Sequence, residues 1–432
     1  MKRHLITMMY ALLVVGLLTA CSSGDETIDT PNNIPENHGD VPADSMVVDM
    51  LPKTRNIELT QDQRALVKKN NDFSFNLYRA IHTANSNISN ITSPLSVTYV
   101  MGMLNDGAAG NTSKEISQVL GFETNSKQAI NEYCKALIDQ APKTDPSVIL
   151  QIANIVAADK RITLGSDYQK EMQNFYSAEV ASLDFSNNSS VDYLNNWCKE
   201  RSQGMIPEII ESLSPQDLIV LMNAVYFKAT WTEKFDENDT HSESFTMANN
   251  TSAELPMMHR KAQVRYCSND IYTAIWLPFG SGDKWSMKVL LPEEGKTVDD
   301  VIACLTNDSW EHQNWMYAIV DIKMPRFTTK SDISLNKMIA NLGAPSMFDP
   351  NEADFSLITK NADQLYVSMM KQKAAIEVTE EGTKTTAVTV AKMESENIID
   401  GRGDFHANRP FVYIIQEASS GVIFFIGTFQ GN

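Results

Sequence analysis

From Ile219 to Phe227 the chain reads Ile-Val-Leu-Met-Asn-Ala-Val-Tyr-Phe, apolar at every position except Asn223. A run this short, rich in β-branched and aromatic residues, reads as a strand, and its lack of alternation requires both of its faces to be covered. The fold therefore needs a sheet with layers on either side. Of the 432 residues, 43% are hydrophobic, which is enough apolar material for such layers. At roughly 150 residues per domain, the length allows two or three domains, or one large domain with a tail. Asp and Glu total 54 against 36 Lys and Arg, a formal charge of −18, which repels phosphate backbones and anionic surfaces. Nucleic acid is not an expected partner.

Residues 1–20 belong to export rather than to the fold. Lys2 and Arg3 precede an apolar run from Tyr10 to Leu18, and small residues close the segment, the order of a secretory signal. The run is too short to span a bilayer. Leu18-Thr19-Ala20-Cys21 resembles the bacterial lipoprotein box, in which the signal is cut before the cysteine and the cysteine is lipidated. That resemblance implies an exported lipoprotein held to the membrane through Cys21. Ser22 stands in place of an aspartate, which by the same resemblance implies the outer membrane, with the body facing the periplasm or the cell surface. An ordinary secreted protein is the plainer alternative. Residues 21–56 are rich in Asp, Asn, Pro and Ser; they bury too little apolar surface to offset their ordering entropy and read as a flexible tether.

Residues 57–432 read as one domain in which helices precede strands. Phe73, Leu77 and Ile81 mark one helix face, and Ser93-Pro94 caps a second helix with Tyr99, Val100, Met103 and Leu104 as its buried stripe. Thr112 and Glu115 have capping-box spacing ahead of Ile116, Val119 and Leu120, and Gly121 supplies a stop. Val320, Ile322 and Met324 alternate with polar residues, as do Ala374, Ile376 and Val378, so each strand has one wet face. Phe411–Gln416 and Val422–Phe429 flank the turn Ser419-Ser420-Gly421. The order predicts an α+β fold. Cys134, Cys198, Cys267 and Cys304 show no framework spacing and read as buried thiols.

No catalytic pattern is present. GxSxG, HExxH, Walker and GxGxxG patterns are absent, the seven histidines are scattered, and Gly107-Ala-Ala-Gly110 lacks the lysine of a phosphate loop. The chain is expected to be no enzyme and to need no cofactor or metal.

Several segments together resemble the serpin family. They are Asn90 to Ser96 running on to Thr112, Leu221 to Trp231, Pro256-Met257-Met258, Ala353 to Ser356, Glu380-Glu381-Gly382-Thr383, and Phe405 to Tyr413. The resemblance implies three β-sheets, eight to nine helices and an exposed reactive-centre loop, here residues 380–404. It further implies a suicide-substrate inhibitor of serine endopeptidases, with cysteine endopeptidases as a second class. Such an inhibitor traps the acyl-enzyme by inserting the cleaved loop into its main sheet. It would act as a monomer and bind its target protease covalently. The alternative is a non-inhibitory surface lipoprotein that uses the same body for binding or adhesion.

Alternation tests the first reading, because an inserted strand sends every second side chain inward. After the hinge residues Glu380, Glu381 and Gly382, one face takes Thr383, Thr385, Ala387, Thr389 and Ala391, all small and uncharged. The other takes Lys384, Thr386, Val388, Val390 and Lys392. No proline or inward charge obstructs insertion. The family's hinge count places the reactive bond between Glu396 and Asn397, with Lys392, Met393 and Arg402 as alternatives. Arg402-Gly403-Asp404 reads as a solvated turn in the same stretch rather than an adhesion motif. Ser93, Ser96 and Asn223 match the cluster where the family's sheet opens. Gln372 takes the place of a common histidine and can donate and accept hydrogen bonds without titrating.

Overall fold

In the computed structural model, which describes residues 53–122, 127–282, 284–361, 364–383 and 402–432, the apolar run becomes the middle of a 12-residue strand. The first half carries α1 (Gln61–Ala84), β1 (Asn90–Thr92), α2 (Pro94–Gly107), α3 (Gly110–Val119), α4 (Lys127–Gln140), β2 (Val148–Asp159), α5 (Ser166–Tyr176), β3 (Glu179–Leu183) and α6 (Asn188–Arg201). There follow β4 (Ile219–Thr230), β5 (His241–Thr246), β6 (Ser252–Ser268), β7 (Tyr272–Phe279), β8 (Trp285–Pro292), α7 (Val298–Cys304) and α8 (Asn307–Glu311). The chain closes with β9 (Met316–Pro325), β10 (Phe327–Ser334), α9 (Asn336–Leu342), β11 (Lys371–Val378), β12 (Gly382–Thr383), β13 (Arg402–His406), β14 (Phe411–Glu417) and β15 (Ile423–Phe429). Among the described residues this gives nine α-helices and three sheets, the α+β class expected.

Local chemistry sets several of these boundaries. Thr60 and Gln63 form a capping box at the start of α1, and the Ser93 hydroxyl accepts from the Ser96 amide at the start of α2, with Pro94 in the first turn. The third helix departs from expectation. It starts at Gly110, and Ala109 caps it without a side-chain bond. Thr112 is turned to tertiary work, accepting from the Asp354 amide and bonding the Ser346 hydroxyl, while Glu115 accepts from the Ser346 amide. Spacing alone cannot tell a cap from a crosslink.

The largest sheet runs β1-β15-β14-β8-β7-β6-β9-β13, with β5 beside β6; a second runs β12-β4-β2-β3, and β10 pairs with β11. Every residue of β14 and β15 is buried, since helices and a second layer cover both faces. Helix α1 serves two cores: Phe73, Leu77 and Ile81 enter the main one, and Phe75 and Tyr78 a smaller one beneath α7 and α8. A third core packs Leu194, Trp197 and Cys198 of α6 on Ile155, Met222 and Ala224 of the sheet. Cys134, Cys198 and Cys267 are buried free thiols and Cys304 is half-buried. Burial pushes the Cys134 thiol up to about 12.

Phe327, Phe411, Tyr413 and Phe429 join β10 to the end of the large sheet, with Phe411 5.7 Å from Phe327 and 5.6 Å from Phe429. Phe411 is fully buried. Phe411→Ala is expected to cost about 3–5 kcal/mol, read as a lower midpoint of urea unfolding; a loss under about 1 kcal/mol would show that this cluster collapses without penalty.

Candidate functional site

The expectation that β4 is covered on both faces holds for only part of it. Met222, Ala224, Tyr226 and Phe227 are buried, whereas Leu221, Asn223 and Val225 are half-exposed. The reason lies at its edge. On one side β4 pairs with β2 from Ala229 to Ile219; on the other, among the described residues, it meets only β12, at Thr230 and Ala229. Among the described residues β11 pairs with β10 alone. Leu218–Asn223 and Tyr366–Lys373 line a cavity of about 490 Å³, and Asn223–Phe227 and Gln372–Ile376 line a smaller one of about 30 Å³ that adjoins it. β4 and β11 thus run side by side in the same direction with a slot between them.

The slot is closed at one end by the hinge. Thr379 and Gly382 form an antiparallel bridge, and the Trp231 amide and indole donate to the Glu381 and Thr379 carbonyls, both at 2.9 Å. Gly382 has φ +120°, and a Cβ there would lie 2.5 Å from the Ala229 carbonyl oxygen and 2.6 Å from the Trp231 nitrogen. Only glycine fits. The Thr383 hydroxyl accepts from the Ala229 amide at 2.7 Å and donates to the Ala229 carbonyl. The Glu380 carboxylate is buried and takes both arms of the Arg326 guanidinium, at 2.6 and 3.0 Å, and the Thr240 hydroxyl at 2.6 Å. Burial by itself pushes this carboxyl up, but Arg326 and Thr240 outweigh it and hold the group below its ordinary range. Glu381 lies outward on Lys234, at 2.5 Å.

Ser93, Ser96, Asn223 and Gln372 all line the smaller cavity. Gln372 Oε1 accepts from the Thr92 hydroxyl at 2.5 Å and the Ser93 amide at 3.1 Å, and its Nε2 donates to the Ser93 carbonyl at 2.8 Å. This uses both sides of the amide and ties β11 to the start of α2. Asn223 does not bond the other three. Its Nδ2 donates to Asn154 Oδ1 at 2.9 Å and the Ala153 carbonyl at 3.1 Å, across to β2. Its Oδ1 is buried with no partner among the described residues. Thr92, Thr240 and Arg326 were not legible as site residues, because each acts through a partner at least 54 positions away.

The Arg402-Gly403-Asp404 tripeptide is not a turn. It opens β13, which runs parallel to β9 with Arg402 opposite Ile319 and His406 opposite Lys323. Arg402 as a reactive residue would therefore sit in a hydrogen-bonded strand, whose ladder withholds the backbone from a protease cleft. Thr385, Ala387, Thr389, Lys392, Met393, Glu396, Asn397 and Cys21 lie outside the described residues.

Comparison with known proteins agrees with this architecture. Residues 68–430 match the pattern of the family described as Serpin (serine protease inhibitor). The chain belongs to the serpin family. Its relatives include an uncharacterised serpin-like protein of Thermococcus kodakarensis, 29% identical over 99% of this chain and 98% of that one. Antithrombin-III of Ovis aries is 30% identical over 84% of this chain and 80% of its own. Among solved structures, human thyroxine-binding globulin complexed with thyroxine superposes with a TM-score of 0.75 at 26% identity, covering 85% of this chain and 98% of that one. The thermophilic serpin tengpin in its native state superposes with a TM-score of 0.77 at 24% identity, over 90% and 99%, a likeness of fold. Serpins are mostly protease inhibitors and not catalytic enzymes, and as inhibitors their partners are proteases.

The Glu380 lock has a defined pH signature. Because the folded carboxyl is held below its ordinary value of 4.5, its contribution is fully present above that value and is lost as pH falls through the lower folded one. Glu380→Gln is expected to lower the melting temperature at pH 7 and to flatten its decline below pH of about 4.5. Differential scanning across pH 3 to 7 checks this; parallel curves for the two proteins would remove Glu380 from the acid response.

Proposed function

We propose that this chain is a suicide-substrate inhibitor of serine endopeptidases, with cysteine endopeptidases as a second class, and that the slot between β4 and β11 receives the cleaved loop. The observation that carries this is the register of β12. Gly382 lies opposite Thr230 and Thr383 opposite Ala229. Continuing by the same step places Thr385 opposite Phe227, Ala387 opposite Val225, Thr389 opposite Asn223 and Ala391 opposite Leu221. Of these β4 positions Phe227 is buried, and Val225, Asn223 and Leu221 are half-exposed. Once inserted, the small residues of the loop would meet the core side of the slot, and Thr389 would bring a hydroxyl to Asn223 Oδ1, which has no partner among the described residues. Met393 reaches Ile219, the first residue of β4. A cut between Glu396 and Asn397 fills the whole edge before the tether to the protease begins, whereas a cut at Lys392 or Met393 ends with the strand itself. We therefore favour Glu396–Asn397.

The chemistry needs no cofactor. The protease forms an acyl bond to the loop residue before the cut and releases the amine of the next residue. Insertion then draws the acyl-enzyme away from the geometry that water needs for deacylation. We further propose that residues 1–20 are removed, that Cys21 carries the lipid, that residues 21–56 tether residues 57–432 to the outer membrane, and that the protein acts as a monomer. Loss of fatty-acid labelling in Cys21→Ser checks the anchor.

Mixing the purified chain with trypsin, elastase, subtilisin, a glutamyl endopeptidase and papain should give a complex that survives denaturing electrophoresis with at least one of them. Mass spectrometry of the released C-terminal peptide fixes the bond. Nicking the loop should raise the melting temperature, since the slot then fills. Thr385→Arg puts a charge against Phe227 on the core side and should convert inhibitor into substrate. Clean cleavage with no complex by all five enzymes would instead support the second reading, a binding protein on the same fold, for which thyroxine-binding globulin is the structural precedent.

A further inference from the structure

Outside the slot, three neighbouring strands bring metal-ligating side chains to one face. Asp404 lies opposite Asp321 in the β13–β9 pairing, and His406 follows two positions on. His259 comes from β6, which pairs with the other edge of β9. Two-residue alternation puts Asp404 and His406 on the same face as Asp321, the face opposite the fully buried Val320 and Ile322. The donor atoms of Asp321, Asp404 and His406 all lie within 4.8 Å of one another. Asp321 offers its two oxygens in two directions: Oδ2 is 2.9 Å from His406 Nε2, and Oδ1 is 2.7 Å from His259 Nε2.

The geometry points to a divalent transition-cation site of the zinc class, with His406 Nε2 and the carboxylates of Asp321 and Asp404 as ligands and His259 as a positioning residue on the far oxygen of Asp321. One imidazole and two carboxylates form a mixed nitrogen and oxygen donor set, which suits Zn²⁺ or Co²⁺ and leaves a coordination position for water. Mg²⁺ and Ca²⁺ prefer all-oxygen shells. Ligand bonds of about 2.0–2.2 Å require the His406–Asp321 pair to open by only a few tenths of an ångström from its hydrogen-bonded distance. Ligation through Nε2 requires the His406 tautomer that carries its proton on Nδ1, so a proton on Nε2 passes to Nδ1 by way of solvent as the ion binds. His259 holding Asp321 is the second-shell arrangement that orients a ligating carboxylate. Of the nearby cations, Lys323 is already bound to Glu243 at 2.7 and 2.9 Å, and Lys261 is exposed. The site sits on strands rather than loops, so its ligands are held before the ion binds. Its consequence is mechanical: the ion would fasten β13, the edge strand directly after the segment 384–401, to β9.

The untagged full-length chain should bind one equivalent of Zn²⁺ by isothermal titration calorimetry, and Co²⁺ should develop visible d–d absorption. Asp404→Asn and His406→Ala should each weaken Zn²⁺ at least tenfold, a loss of the size ligand-shell changes produce. His259→Gln, which keeps a donor to Asp321, should bind nearly as well as the parent. Zn²⁺ should slow amide exchange in residues 402–406. His312→Ala, at the exposed pair His312–Asp308, is the control and should change nothing. Absence of binding, equal affinity in Asp404→Asn and the parent, or loss confined to His312→Ala would each overturn the site. Asp404 is exposed, so Asp404→Asn decides the matter even where His406→Ala does not fold.

Discussion

A strand edge is a row of backbone donors and acceptors that need partners, and two such edges facing one space leave both rows open to a further strand. Here β4 is paired from Ile219 to Ala229 on one side and, among the described residues, only at Ala229 and Thr230 on the other, while β11 ends its sheet facing the same space. The half-exposed side chains of β4, the two cavities and the position of the hinge all follow from that single vacancy in the ladder. On the proposed reading, the loop that follows the hinge is the missing partner, and the driving force is backbone hydrogen bonding together with burial of small side chains on the core side.

The hinge and the middle of the slot are secured by different chemistry. At the hinge, a buried carboxylate takes a bidentate guanidinium and a hydroxyl, bonds that are charge-assisted and strong in a partly desolvated place. Breaking one partner would leave a buried charge uncompensated. Further down, Gln372 uses a neutral amide to reach Thr92 and Ser93. A neutral crosslink does not change with pH, so Gln372 adds nothing to the pH response that Glu380 gives the hinge. Asn223 turns the other way, to β2, and its Oδ1 has no partner among the described residues.

Much of this was legible in residue patterns. The run Ile219–Phe227, the Ser93-Pro94 helix start, the alternating strands 320–324 and 374–378 and the closing pair of strands all depend on periodicity or on contacts a few residues apart, which one-dimensional patterns record. The motifs shared with serpins carried the rest of the fold. What patterns misread were positions whose partners are distant. Thr112 looked like a cap and is a crosslink to residues 346 and 354. The tripeptide from Arg402 looked like a turn because Gly and Asp are common in turns, yet parallel pairing with β9 makes it a strand. Arg326 and Thr240 gave no signal at all.

The sequence by itself determined which segments are apolar, how each alternates, and that the residues after Gly382 are small and uncharged on one face. Those are properties of the chain's covalent order and of side-chain size. Only the tertiary structure decided that β4 and β11 stand side by side without pairing, that Glu380 is locked by Arg326, and that Asp321, Asp404, His406 and His259 share one face of three strands. These depend on which distant segments pack together, and packing is settled by the whole core at once rather than by any local pattern.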